Sequence, residues 1–87
     1  MIKLVKFRDA TQIGPESAVE TYLEQGQVLL GFKMSIEFDK DERFLLLTGN
    51  HIEAGRKPFY QLVPLSAVST LMMDHRGVPA STTAKKA

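Results

Sequence analysis

The strongest pattern in the chain is an alternation running from position 28 to position 38. Val28, Leu30, Phe32, Met34, Ile36 and Phe38 share one parity, and Leu29, Gly31, Lys33, Ser35 and Glu37 share the other. A period of two over this length predicts a β-strand with one buried face. Gly31 has no Cβ, so a sharp bend is expected there. The charged residues 39–42 predict a solvated turn, and residues 43–48 a second strand, apolar on both faces through Phe44, Leu45, Leu46 and Leu47. Gly49 and Asn50 read as a turn or bulge, and residues 51–57 as a polar loop.

The remaining segments carry weaker signals. Ile2, Leu4 and Phe7, set among Lys3, Lys6 and Arg8, predict a half-buried strand over residues 2–7, followed by a loop at 9–14. Pro15 and Glu16 suit a first helical turn, Ala18, Val19, Tyr22 and Leu23 recur at spacings of three and four, and Gly26 stands where a helix would stop. A helix is therefore favoured over residues 16–25. The alternative is a strand with Val19, Thr21 and Leu23 on one face. Residues 59–63 predict another strand, which Pro64 ends or places at a sheet edge, and residues 66–73 predict the last. The expected architecture is mainly β: a small, highly bent, five-stranded antiparallel barrel with at most one short helix. Closure would remove the exposed edges of so small a sheet.

Composition narrows the picture. A length of 87 residues allows one domain, expected to span residues 1–76, with a disordered tail at 77–87 rich in small and polar residues. No cysteine is present, so disulfides and thiolate chemistry are excluded. Eight basic and nine acidic residues fall in 1–73, which leaves no positive excess there to attract a polyanion. The first residues lack the apolar stretch of a secretory leader, and no apolar run could span a bilayer, so a cytoplasmic, non-membrane protein is expected. His51 and His75 lie far apart, and the acidic residues 39–42 lack the glycine and terminal glutamate of a calcium loop. No serine sits in a nucleophile motif. The expectation is a non-enzyme with no cofactor and no metal.

Residues 19–31, Val-Glu-Thr-Tyr-Leu-Glu-Gln-Gly-Gln-Val-Leu-Leu-Gly, resemble the Sm-like family and in particular its Hfq-like branch. In that family a strand carries valine and a following Tyr-Leu, a short turn ends in glycine, and the next strand holds a leucine two residues before another glycine. Asp41 followed by Phe44, Leu45, Leu46 and Leu47 is similar to the family's apolar third strand. Tyr60 followed by Ser66-Ala67-Val68-Ser69-Thr70 is similar to its final strand. The resemblance covers roughly residues 19–73. It implies a barrel of the Sm-like or SH3-like kind, a strand rather than a helix at 19–23, ring assembly by strand pairing between subunits, and single-stranded RNA as ligand. The sequence departs from the Hfq-like uridine pocket in two places. Glu42 and Arg43 replace its Gln-Phe pair, and Gln61 and Leu62 follow Tyr60 in place of Lys-His.

Two functions follow. The first is a small oligomeric protein-interaction or scaffold module. Phe44, Leu46, Leu71, Met72 and Met73 are its candidate interface, because they are more apolar side chains than a thin core can hide. The alternative is an RNA-binding module in which Tyr60 stacks a base while Arg43, Arg56 and Lys57 hold phosphates.

Overall fold

A computed structural model describes residues 1–52, 55 and 57–74. The expected tail at 77–87, Arg56 and His75 lie outside these residues. Nine strands are present among the described residues: β1 (Ile2–Phe7), β2 (Thr11–Ile13), β3 (Ser17–Val19), β4 (Tyr22–Glu24), β5 (Val28–Leu29), β6 (Phe32–Phe38), β7 (Phe44–His51), β8 (Phe59–Pro64) and β9 (Val68–Met73). One 3-10 turn, Leu65–Ala67, separates β8 from β9. The hydrogen-bonded orders are β4-β1-β9, β2-β3 and β5-β6-β7-β8, with antiparallel pairing throughout.

The mainly β character is as expected, but the closed five-stranded barrel is not formed, and the Sm-like resemblance fails with it. β8 and β9 are consecutive in the chain, yet each is an edge strand of a different sheet. Pro64 offers no N–H for a ladder, the 3-10 turn redirects the chain, and β9 is already paired to β1 at its first residue, Val68 opposite Phe7. The sheets therefore stay open where a barrel would close.

Segment 16–25, expected as a helix, is not helical. Gly14, at φ 74, turns the chain between β2 and β3, and β4 follows as a three-residue strand opposite β1. The Phe7 N–H donates to the Thr21 carbonyl, and the Gln25 N–H donates to the Lys3 carbonyl. Long-range backbone bonds to β1 thus occupy groups that a helix would have satisfied internally, so tertiary pairing overrides the local spacing. The alternation over 28–38 also breaks. Leu30 and Gly31 both have positive φ, 52 and 80, and they reverse the chain so that Leu29 faces Phe32 and Val28 faces Lys33. The expected bend is a hairpin turn, of the kind two consecutive positive φ values produce.

One hydrophobic cluster joins all three sheets. Ile2, Val5 and Phe7 of β1, Ile13, Val19 and Leu23 of the short strands, Phe32, Met34 and Ile36 of β6, Leu45 and Leu47 of β7, Val63 of β8 and Val68 of β9 are all buried in it. Leu4 is left out. Register shifts between β1 and β9 at Ile2/Leu4 and at Lys6/Phe7 change which parity of β1 faces inward. The two larger sheets are tied together at Gly26 and Gln27. Gly26 N–H donates to the Met34 carbonyl and Met34 N–H to the Gln27 carbonyl, while Gln25 Oε1 accepts from the Ile36 N–H at 2.6 Å. Among the described residues no helix is long and apolar enough to cross a membrane.

Candidate protein-interaction surface

The outward face of β7 and β8 follows from strand alternation. Leu45, Leu47 and Gly49 of β7 point into the core with Val63 of β8, which turns Phe44, Leu46 and Thr48 outward together with Tyr60, Leu62 and Pro64. Register sets these side chains in three cross-strand rows: Phe44 beside Pro64, Leu46 beside Leu62, and Thr48 beside Tyr60. None of the six is charged. Tyr60 is 77% and Leu62 55% exposed, while Phe44, Leu46 and Thr48 are half-buried, so the β8 side of this strip meets water most fully. Charge borders the strip on the β6 side, where the exposed Glu37 stands directly beside Leu46 and Lys33 beside Asn50. Arg43 lies just before β7, and the Leu65 N–H donates to its carbonyl.

The inner side of the same strands explains why the strip is so well held. Phe59 packs edge-on to Phe32, with ring centroids 5.1 Å apart and planes at 80°. Gln61 points inward, accepts from the Gly14 N–H at 2.8 Å, and donates through Nε2 to the Gln12 carbonyl. The β2–β3 hairpin is thereby fastened to β8. At the far end of β7, Asp39 Oδ1 accepts from the Arg43 N–H at 3.1 Å and from the Phe44 N–H at 3.4 Å, which fixes the charged turn expected at 39–42.

A second face, formed by β4, β1 and β9, is less uniform. Its rows run Glu24–Leu4–Met72 and Tyr22–Lys6–Thr70, each carrying a charged residue. Met1, Ile2 and Met73 line two adjoining clefts of about 270 and 220 Å³ near its end. Both fall below the roughly 300–1,000 Å³ usual for small-molecule sites. Among the described residues no group of three or more His, Asp or Glu side chains is arranged to hold a metal ion.

The structure divides the candidate residues read from the sequence. Phe44 and Leu46 lie in the β7–β8 strip. Leu71, Met72 and Met73 lie on β9 of the other large sheet, with Leu71 half-buried toward the core. Tyr60 is the second residue of β8, and Lys57 lies two residues before its start. Arg43 is at the opposite end of β8 from Lys57, since Tyr60 pairs with Thr48, five residues further along β7. At about 3.3 Å per residue, Arg43 and Tyr60 stand about 17 Å apart along the strand, and the structure does not bring them together. Leu62 and Pro64 were missed. Leu62 alternates with the buried Val63, and that alternation was the signal that could have placed it outward.

No protein-family model, curated protein or solved structure matches the chain.

Proposed function

We propose that this domain is a protein-interaction module that self-associates through the outward strip of β7 and β8. The observation that carries the reading is the uncharged run Phe44–Pro64, Leu46–Leu62 and Thr48–Tyr60 on the solvent side of a sheet. Large apolar groups left contiguous on a surface mark a contact region, and tyrosine is among the residues enriched at the centres of protein interfaces. The absence of charge within the strip, which is bordered by Glu37 on its β6 side only, favours a like copy as occupant, because the strips of two copies can then adjoin along β8 without repelling. The face of β4, β1 and β9 would instead set Lys6 and Glu24 into any contact, at a desolvation cost.

Sedimentation velocity over a range of about 10 to 500 μM tests this reading, a span suited to a weak, small interface. The expected result is a monomer–dimer equilibrium that shifts to monomer in a Leu46→Lys, Leu62→Lys variant with unchanged circular dichroism. A wild-type protein that stays monomeric throughout, or a variant that associates as well as wild type, refutes it.

A further inference from the structure

β8 offers more than its outward side chains. The Leu65 N–H donates to the Arg43 carbonyl at 3.1 Å, which sets the hydrogen-bonding phase between β7 and β8. In an antiparallel pair the bonded positions alternate, so Phe59, Gln61 and Val63 direct their backbone groups at β7. Tyr60 and Leu62 direct theirs away from it. β8 is the last strand of its sheet, and the N–H and C=O groups of Tyr60 and Leu62 have no backbone partner among the described residues. Sheet edges are commonly blunted by charged side chains or by proline; residues 59–64 contain no charged side chain, and the one proline among them, Pro64, stands at the end and leaves the edge at Tyr60 and Leu62 open. The two prolines nearby, Pro58 and Pro64, lie symmetrically, three residues to either side of Gln61.

We propose that β8 pairs with β8 of a second copy of this chain, antiparallel, about a two-fold axis passing at Gln61. This rests on the self-association reading and specifies its geometry: the two copies meet along the β8 edge, and their outward strips join side by side. In this register Tyr60 faces Leu62 of the second copy and Leu62 faces its Tyr60, so all four N–H groups and all four carbonyls at these positions are paired. Pro58 then faces Pro64 of the second copy, so neither missing donor is set against a carbonyl of Tyr60 or Leu62. Slipping the axis to Tyr60 or to Leu62 sets a proline against one of those two residues in each copy and strands its carbonyl. The prolines therefore select the register and also end the pairing, which confines assembly to a closed dimer in place of an extending sheet. On the outward face the rows become continuous: Leu46, Leu62, then Tyr60 and Thr48 of the second copy, and the same in reverse.

The chain has no cysteine, so introduced ones report the register directly. Tyr60→Cys and Leu62→Cys proteins are mixed and mildly oxidised at about 200 μM, a concentration suited to a small interface, and the products are separated by intact mass. Directly opposite Cβ atoms stand ~4.5–5.5 Å apart and diagonal ones ~7–8 Å, and only the former approach disulfide reach. The expected result is a mixed 60–62 disulfide formed at least about fivefold faster than either same-variant disulfide. Equal rates, or no mixed product, in a protein whose wild type sediments as a dimer overturn the β8 register and leave self-association standing. A wild type that remains monomeric at every concentration, including one in which β8 instead accepts a strand from a different protein, overturns both.

Discussion

The ring of Phe59 occupies the space into which a side chain at Gly49 would project. The two are cross-strand partners on β7 and β8, and a Cβ built on Gly49 would overlap three ring atoms of Phe59. The same ring lies 3.0 Å from a Cβ built on Gly14 and packs edge-on to Phe32. Glycine at position 49 thus lets one aromatic side chain seal the end of the core beneath Tyr60. Gly49→Ala is expected to destabilise the fold by roughly 1–3 kcal/mol, the usual cost of overpacking. In a Phe59→Leu background the same substitution costs less, because the shorter side chain frees the space. Urea unfolding of the four proteins measures the cycle; additive effects would contradict the close approach.

Leu30 holds a positive φ of 52 beside Gly31 at 80, a conformation that strains a residue with a γ-branched side chain and suits asparagine before glycine. Leu30→Asn is expected to stabilise the protein by about 0.5–1 kcal/mol, since Leu30 is largely outside the core. The check is a higher urea midpoint at unchanged slope.

Gln61 is the fastening between β8 and the β2–β3 hairpin. Gln61→Ala leaves the Gly14 N–H and the Gln12 carbonyl without their side-chain partner, at a cost of roughly 1–3 kcal/mol if the site stays closed to water. Hydrogen exchange at Gly14 should accelerate well before the protection of Leu45 and Leu47 falls. Unchanged exchange at Gly14 would show that the amide is not what holds the hairpin.

Asp39 accepts from two backbone N–H groups at the start of β7. Asp39→Ala is expected to cost about 1 kcal/mol and Asp39→Asn less, because the amide oxygen keeps the acceptor. Thermal melts of the pair give the comparison; equal losses would point to charge as the cause.

How far the sequence spoke for itself depended on whether local pattern and long-range pairing agreed. β6, β7 and β8 were legible, because Phe32, Met34 and Ile36, then Leu45 and Leu47, then Val63 alternate as their burial does. The charged turn at 39–42 was legible from residue type alone. Segment 16–25 reads as a helix because Val19 and Leu23 are four apart and both apolar, a spacing that two short strands on one core also produce. Gly49 was read as a turn residue, but its meaning lies in Phe59, ten residues away in sequence. Barrel closure failed for a similar reason: which edges meet is set by β9 choosing β1, a partner more than 60 residues distant. In the candidate site, Phe44 and Leu46 stood out as excess apolar residues, whereas Tyr60 and Leu62 became part of the same strip only once register was known.

The claim on which the functional account turns is that the outward strip of β7 and β8 is the self-contact surface. The most direct measurement is a dilution series of two-dimensional amide NMR spectra, from about 1 mM to about 20 μM, spanning the range expected for a small interface. The account predicts concentration-dependent shifts at Leu46, Thr48, Tyr60 and Leu62, with Leu4, Tyr22 and Met72 on the other sheet unmoved. Shifts confined to Leu4, Tyr22 and Met72, or spectra that do not change with dilution, would contradict it.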